Sequence, residues 1–340
     1  MKAFLGAAML AYLSIGASGG TPVNDALILG DTLPPKLSDF GLLTGQQGLT
    51  PAAGVKPYKL ATPLFSEYAE KYRYAYVPAG KRIASRADGV MAFPGGSVLI
   101  KSFGYPADLR KPDNTLRILE TRLLIHRASG WVALPYVWNA DGSDATLKRA
   151  GTRIDVRWTH FDGQTKSISY AVPNVNQCKG CHSLDGAMVP IGPKARNLDE
   201  GFLRTANIDG LPEKVDHIPV WNDPSSGGVD ARARAYLDVN CAHCHNPRGP
   251  ASNSGLFLDW GQADRVALGI GKRPVAAGSG AGRFSFDIAA GHPESSIMLY
   301  RLASVEPGVA MPELGRATTH AEAIALLSQW IKAMPEEDAK

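Results

Sequence analysis

The sequence predicts an α+β protein in which an antiparallel β-rich domain, 65–225, precedes an all-α domain, 226–340. Two patterns lead to this prediction. Apolar and polar residues alternate in stretches between residues 71 and 172, as they do in strands with one buried face. Beyond a Ser-Ser-Gly-Gly stretch that begins at Ser225, apolar residues recur at helical spacing. The domain boundary is therefore expected near residue 225.

The composition is that of a globular chain. The 340 residues are enough for two domains of ordinary size, and 44% of them are hydrophobic while 20% are charged. The formal net charge is only +4, and no dense run of Lys and Arg indicates a nucleic-acid surface. A weakly basic surface is compatible with docking to an acidic redox partner.

The N-terminus has the pattern of a secretory signal peptide, 1–19. Lys2 supplies a positive charge, 3–17 is an apolar run, and small residues at 17–19 offer a cleavage site. The run is too short for a comfortable membrane span, although an uncleaved anchor is an alternative. No other stretch reaches membrane length, and no cysteine stands directly after the apolar run. We therefore predict a soluble periplasmic protein rather than a lipoprotein.

Residues 20–64 are rich in Gly, Pro and Thr and show little periodicity. Short apolar groups at 37–40 and 60–65 indicate anchor points. We therefore predict an extended segment that wraps around the β-rich domain and forms no domain of its own.

The β-rich domain is predicted from six stretches with strand character, joined by turns such as Asp141-Gly142 and Asp162-Gly163. These stretches are 71–76, 97–103, 116–126, 131–138, 153–158 and 166–172. Short turns imply antiparallel pairing. Residues 183–228 contain several prolines and are predicted to be a loop followed by a linker.

Helices are predicted only in the C-terminal domain. They are expected at 229–240, 294–302 and 319–334. Thr319 and Glu322 match a capping box at the start of the third helix, and Pro335 stops it. The apolar stripe that includes Trp330 is expected to pack against the first helix.

Both domains carry the sequence Cys-x-x-Cys-His, which is the attachment signature of a c-type haem. The residues are Cys178, Cys181 and His182 in the first motif, and Cys241, Cys244 and His245 in the second. The two thiols of a motif bond to the porphyrin vinyl groups, and the adjacent histidine binds the iron from one side. All four cysteines of the chain lie in these motifs. We therefore predict two covalently bound haem c groups.

Three other interpretations of the cysteine pairs were weighed. A four-cysteine zinc site usually separates its pairs by roughly 15–20 residues, and the pairs here stand much farther apart. Two structural disulfides are compatible with export, but they leave the histidine after each pair unexplained. A thioredoxin-like redox motif requires a βαβ context, which the sequence does not indicate.

Met311 is the predicted sixth ligand of the second haem iron. A Met-Pro sequence just before the last helix suits a ligand that is held rigidly at the iron, and a thioether raises the reduction potential. The alternative for Met311 is a core position, and Met298 and His292 are weaker ligand candidates. His243 lies inside the second motif and is poorly placed to reach its own iron.

The first haem has no equivalent Met-Pro sequence. Met188 follows His182 too closely to reach the opposite face of the iron easily. The distal face is therefore either open or occupied by a ligand from the β-rich domain. The candidate ligands are His126, His160, Met91 and Lys101, each of which has an ordinary structural role as its alternative.

The second domain resembles the small helical cytochrome c family. The resemblance covers 229–334 and comprises the leading helix, the motif at 241–245, the segment 291–296, Met311-Pro312 and the helix through Trp330-Ile331. It implies an all-α cytochrome c fold for 226–340, an electron-carrier role, and iron ligation by His245 and Met311.

The β-rich domain resembles the hydroxylamine-oxidising cytochromes with a cross-linked haem, and their β-rich cytochrome c′ relatives. The resemblance covers 65–182 and is carried by 93–101 and the motif at 178–182. It implies an open distal face at the first iron and, in the former group, a lysine bonded to the porphyrin, in a motif that here contains Lys101. The whole chain resembles a family of bacterial di-haem cytochromes of unassigned function, in segments 176–182 and 190–194.

The predicted function is electron transfer between the two haems and an external redox partner in the periplasm. The alternative is a haem enzyme or a gas-binding protein that acts on hydroxylamine, nitric oxide or peroxide at an open first haem. The missing sixth ligand motivates this alternative. Catalytic residues are not predicted, because Glu120 and Asp155 are equally compatible with surface charges.

Overall fold

A computed structural model describes residues 22–112, 115–275 and 277–336. The predicted signal peptide lies outside these residues. The described strands are β1 Leu43–Thr44, β2 Thr50–Pro51, β3 Val55–Pro57, β4 Glu70–Tyr76, β5 Ile83–Ser85, β6 Met91–Ala92, β7 Val98–Tyr105, β8 Arg117–Arg127, β9 Gly130–Trp138, β10 Ala145–Leu147, β11 Thr152–Thr159, β12 Thr165–Val172, β13 Ser183–Leu184, β14 Ala187–Met188 and β15 Ile208–Asp209. The described α-helices are α1 Asp25–Leu29, α2 Val175–Cys181, α3 Glu200–Thr205, α4 Val229–Asn240, α5 Ile297–Leu302 and α6 Ala321–Lys332.

The main feature is a six-stranded antiparallel sheet with the strand order β10-β9-β8-β7-β4-β3. Four of its strands were predicted from the period-two pattern, and the other two predicted strands form the separate β11–β12 hairpin. The prediction of an antiparallel β-rich architecture is therefore confirmed. Side chains alternate along each strand, and this alternation gives the sheet two distinct faces.

One face of the sheet is apolar and is covered by the N-terminal segment. Tyr74, Ile100 and Leu123 stand opposite one another on β4, β7 and β8 and point to this face. They pack in one cluster with Ile28 and Phe40, both fully buried. Residues before β3 thus wrap over the sheet and shield it from water, which stabilises the domain by burying apolar surface.

The other face of the sheet receives the first cysteine motif. Leu99 and Leu124 are cross-strand partners there, and they share an apolar cluster with Cys178. Farther along the strands, Phe103 packs in a second cluster with Trp158 of the β11–β12 hairpin. This face is therefore apolar at both ends and holds the motif at one of them.

Residues 183–228 contain more regular structure than the predicted loop and linker. β13 and β14 form a small antiparallel hairpin, and α3 follows. β15 then pairs in parallel with β5, which lies more than a hundred residues earlier in the chain. The proline-based prediction missed this because the partner strand is distant in sequence.

The prediction that 226–340 forms an all-α cytochrome c domain is wrong. Between 226 and 336, the described helices are α4, α5 and α6, of 12, 6 and 12 residues, separated by long stretches of turns and short 3-10 segments. No distinct all-α unit stands apart from the β-rich part in the described chain. The glycine- and proline-rich composition of 246–291 explains the shortfall, because these residues favour turns over helices.

The C-terminal helices are joined to the β-rich part by buried polar contacts. Asp238 of α4 is buried and accepts bonds from Lys194 at 2.7 Å and Arg196 at 2.9 Å. Tyr68 donates its hydroxyl to Glu322 of α6 at 2.8 Å. These contacts make the two parts of the chain one packed body.

The individual helices agree with the sequence to different degrees. α4 has the predicted bounds, and the Trp330 indole of α6 donates to Asp230 of α4 at 2.8 Å, so the predicted packing of these helices is confirmed. The predicted capping box is wrong. His320 is the N-cap of α6 and makes no side-chain cap bond, because Glu322 is drawn to Tyr68 instead.

Candidate functional site

The first motif lies on a short helix with a well-formed start. The Asn174 side chain accepts from the Gln177 amide at 2.8 Å, and the Gln177 side chain accepts from the Asn174 amide at 2.9 Å. This reciprocal pair is a capping box, and it fixes where α2 begins. Cys178 and Cys181 are three positions apart on this helix, so both thiols lie on one helix face.

His182 ends α2 with its ring held in one orientation. Its amide bonds the Cys178 carbonyl at 2.9 Å, and its Nδ1 lies 3.0 Å from the Val189 carbonyl. Because a carbonyl accepts only, Nδ1 carries the proton and Nε2 keeps its lone pair. Burial lowers the His182 pKa to about 4, so the ring is neutral at pH 7. A neutral imidazole with a free Nε2 is the form that binds iron.

The second motif continues directly from α4. The Cys241 amide bonds the Leu237 carbonyl and the His245 amide bonds the Cys241 carbonyl, each at 2.9 Å. The helical turn thus extends through the motif although the regular helix ends at Asn240. The second motif thus lies in a turn that follows α4, whereas both cysteines of the first motif lie within α2.

His245 is oriented by a serine. Its Nδ1 lies 3.3 Å from the Ser254 hydroxyl oxygen, while that hydroxyl donates to the Ala251 carbonyl at 2.7 Å. The serine oxygen is therefore the acceptor and His245 Nδ1 is the donor. Burial lowers the His245 pKa to about 4, which leaves a neutral ring with Nε2 free, as in His182.

The two motifs touch each other. Cys244 Sγ of the second motif lies 3.9 Å from the Gly180 carbonyl oxygen of the first. Cys181 and Cys244 are close enough for each to shift the pKa of the other. The chain just beyond the motifs is also tied together, because the Asp185 amide bonds the Arg248 carbonyl and their side chains form an ion pair. This juxtaposition was not predicted from the sequence.

The contact makes the two thiols unequal. The hydrogen bond from Cys244 lowers the pKa of Cys181, and the same bond raises the pKa of Cys244. His243 also hydrogen-bonds Cys181, while its Nδ1 is buried without a partner among the described residues. The sequence indicated only that His243 could not serve its own motif, and no local signal revealed that it contacts the other one.

Met311 lies in a segment that passes over both motifs. Its amide bonds the Arg301 carbonyl at 3.1 Å, and the Arg301 guanidinium, which helps to lower the His245 pKa, donates to the Val309 carbonyl at 2.9 Å. Farther along this segment, Leu314 lies beside Gly180 of the first motif. Met311 is thus tied to Arg301, whose guanidinium acts electrostatically on His245, and its role as an iron ligand stays a prediction.

The other candidates for the sixth ligand of the first iron occupy different surroundings. Met91 is buried in the same apolar cluster as Cys178, and Met188 packs at its edge. Lys101 is close enough to His182 to act on its pKa. His126 bonds the Phe93 carbonyl at 2.8 Å through Nδ1, which leaves its Nε2 uncommitted in that bond.

Three residues named from the sequence have clear structural surroundings elsewhere. His160 packs edge-on against Tyr68, with ring centroids 4.6 Å apart, and belongs to the contact between the sheet and α6. His292 lies near Glu294 and Glu336 on the surface. Met298 packs at the edge of the C-terminal core. Met298 shares this cluster with Cys241 of the second motif, whereas the contacts given for His160 and His292 lie away from both motifs.

Glu120 and Asp155 differ sharply in their surroundings. Glu120 is fully buried and holds the Arg122 guanidinium with both carboxylate oxygens, and it also accepts from the Tyr170 hydroxyl at 2.5 Å. Asp155 is exposed. The interpretation of Glu120 as a surface charge is wrong, because its side chain is fully buried and is bound by Arg122 and Tyr170.

Free thiols and a cavity of mixed polar and apolar lining lie at the first motif. All four cysteines are free thiols, so each is available for a thioether bond. A cavity of about 570 Å³ lies between α2 and β9, with walls that include Trp131, Ala133 and Met188. Within the described ranges, no group of three or more His, Cys, Asp and Glu side chains is arranged to hold a metal ion, so the four-cysteine zinc interpretation gains no support.

Comparisons with protein-family models, with curated proteins and with solved structures found no match to this chain. Among the described helices, none is both long enough and apolar enough to cross a membrane.

A chain produced without haem attachment should form a disulfide between Cys181 and Cys244 under mild oxidation. Cys244 Sγ lies against the backbone of Gly180, next to Cys181, and the lowered pKa of Cys181 increases its thiolate fraction, which is the reactive form. Mass spectrometry of a non-reducing digest should recover this linkage, and Cys244→Ser should abolish it. Recovery of only Cys178–Cys181 and Cys241–Cys244 would contradict the contact and favour two local disulfides.

Proposed function

We propose that the protein is a periplasmic di-haem c-type cytochrome that transfers electrons between its two haems and an external redox partner. The observation that carries this proposal is the contact between the two Cys-x-x-Cys-His motifs, where Cys244 Sγ lies 3.9 Å from the Gly180 carbonyl oxygen. A c-type haem supplies a one-electron iron couple whose potential is set by its axial ligands and its burial.

The contact supports electron exchange within the chain. Cys244 is the second attachment thiol of its motif, and Gly180 directly precedes the second attachment thiol of the other, so the contact brings the two attachment points near each other. Two haem sites that acted independently of each other would not require such a contact. The ion pair of Arg248 with Asp185 and the position of Leu314 over Gly180 hold this arrangement in place.

The histidine geometry supports axial ligation in both motifs. His182 and His245 each use Nδ1 for a hydrogen bond to a fixed oxygen acceptor, and each keeps a buried, neutral Nε2. Such a second hydrogen bond orients a ligand histidine and increases its basicity. Met311, whose backbone is bound to Arg301, is proposed as the second ligand in the His245 site.

Export to the periplasm is part of the proposal. The signal-like pattern of 1–19 supports it, and so does the motif itself, because bacteria attach c-type haem outside the cytoplasm. The external donor or acceptor is proposed to be another periplasmic redox protein.

The test is to produce the chain in a host that matures c-type cytochromes and to measure the haem content. We expect two covalently bound haems per chain from the pyridine haemochrome spectrum, both surviving denaturation. After flash reduction of one haem, we expect rapid redistribution of the electron at a rate that does not depend on protein concentration. Fewer than two covalent haems, or redistribution only through collisions between molecules, would refute the proposal.

Carbon monoxide separates this function from the alternative of small-molecule chemistry at the first haem. Electron transfer with two six-coordinate irons predicts no change in the Soret band of the reduced holoprotein. A shift of about half of the Soret intensity indicates one open iron and favours the alternative. Hydroxylamine, nitric oxide and peroxide are then the compounds to assay.

A further inference from the structure

A row of cationic side chains crosses the face of the sheet that receives the first motif. Arg73, Lys101 and Arg122 are direct cross-strand partners on β4, β7 and β8. Directly opposite residues in neighbouring strands have Cβ atoms about 4.5–5.5 Å apart, so these three cations are side by side. Lys71 follows one pleat away on β4, on the same face.

Only one member of this row is neutralised by a carboxylate. Arg122 is held by Glu120. Arg73 is only 9% exposed, yet its Nη2 has no hydrogen-bond partner among the described residues. The Lys101 ammonium lies 4.8 Å from the centre of the Phe103 ring, and no described carboxylate forms an ion pair with it.

Arg73 is buried, and Lys71, Lys101 and Arg122 are partly buried, so their charges are costly to hold together without an anion. Burial lowers the pKa of Lys71 to about 7, with repulsion from Arg73 adding to the shift, and burial followed by repulsion from Arg73 lowers the pKa of Lys101. Glu70 and Glu120 are the carboxylates close enough to oppose these shifts, and the cations still outnumber them. Buried like charges persist in proteins mainly where a counter-charge completes the site.

The row lies beside the first motif. Leu99 and Leu124, which pack with Cys178, are two residues along β7 and β8 from Lys101 and Arg122. Lys101 acts electrostatically on His182, and Arg122 acts on Cys178. Any group bound to this row is therefore adjacent to the first haem site.

We propose that Arg73 and Lys101, with Lys71 next to them, form an oxyanion-binding site on the haem-facing side of the sheet. The inference rests on the proposed function, because the anionic oxygens come either from the propionate carboxylates of the first haem or from a free inorganic oxyanion such as nitrite. Both sources share a planar or near-planar pair of oxygens, which matches the fork of the arginine guanidinium. The free Nη2 of Arg73 is the donor that such a group would satisfy.

The experiment compares ferric holoprotein with Arg73→Gln, Lys101→Gln and the control Arg157→Gln, which removes the same charge from an exposed position on β11. Sodium nitrite is titrated while the Soret band is followed, and resonance Raman spectra record the propionate bending bands.

If the site binds a free oxyanion, we expect a saturable nitrite response that is at least about tenfold weaker in both cluster variants and unchanged in the control. Propionates predict no nitrite response, and altered bending bands in the cluster variants alone.

Lys101→Arg keeps the positive charge. It should therefore match the native protein in the nitrite response and in the propionate bending bands. The inference is overturned if holoprotein with two haems shows no nitrite response, and if the bending bands of the cluster variants match those of Arg157→Gln. A higher thermal midpoint of Arg73→Gln would strengthen that refutation, because it would mean that the arginine is buried without a counter-charge. Haem content measured on the same samples separates the two proposals, since its loss refutes the di-haem function itself.

Discussion

Replacing Cys178 and Cys181 together by serine is expected to remove one haem and to leave the other in place. A serine hydroxyl does not form the thioether bond, so the first motif loses covalent attachment. The haem content measured by pyridine haemochrome should fall by about half, and one of the two redox transitions should disappear. Rapid electron redistribution within the chain should disappear with it, because only one redox centre remains.

The reciprocal variant, Cys241→Ser with Cys244→Ser, should remove the other transition and keep the first. Lys179→Gln is the matched control, since Lys179 is exposed and lies inside the first motif without supplying a thiol. It should retain both haems. If the first cysteine variant still carries two covalent haems, the proposed attachment sites are wrong.

The second large effect is expected from Asp238→Asn, which should lower the free energy of unfolding by about 3 kcal/mol. Asp238 is buried between Lys194 and Arg196, and its Oδ1 also accepts from the Trp260 amide at 3.0 Å. The substitution leaves two largely buried cations without their carboxylate. Guanidinium unfolding of the holoprotein measures the change.

Asp209→Asn is the matched control, because Asp209 pairs with Arg82 at 2.6 Å on the surface, where both side chains are more than half exposed. It should change the free energy of unfolding by less than about 1 kcal/mol. Equal effects of the two substitutions would show that the buried ion pair does not stabilise the joint between α4 and the β-rich part.

The loss of stability caused by Asp238→Asn should become smaller as the pH falls. Burial alone raises the pKa of a carboxyl, but the attraction of Lys194 and Arg196 outweighs it and the pKa of Asp238 is lowered. A lowered pKa contributes stability above the ordinary carboxyl pKa of about 3.9, and this stability is lost as the pH falls through the folded-state pKa. The difference between Asp238→Asn and the native chain should therefore be constant above about pH 5 and shrink in acid.

Local patterns predicted the parts of the fold that depend on local chemistry. Alternating side chains predicted the strands that became β4, β7, β8 and β9, and helical spacing predicted α4 with its observed bounds. The pattern failed where distant partners decide the structure. β15 forms because β5 is available to pair with it, and Glu322 leaves its capping role because Tyr68 lies within reach.

The all-α interpretation of the C-terminal region failed for a related reason. The motif, the Met-Pro sequence and the last helix have the order of a helical cytochrome c, and three helices are present. The residues between them form turns that pack against the β-rich part through Asp238 and Tyr68. Motif order along a chain does not fix the architecture between the motifs.

The sequence by itself determined the two candidate attachment motifs, because the spacing of a thiol pair followed by histidine is fixed along the chain. It also determined which strands have a buried face, since that depends only on alternation along the chain. Only the tertiary structure decided that Cys181 meets Cys244 and that Arg73 stands beside Lys101. Such contacts join residues that are far apart in sequence, and they arise from packing that no local pattern records.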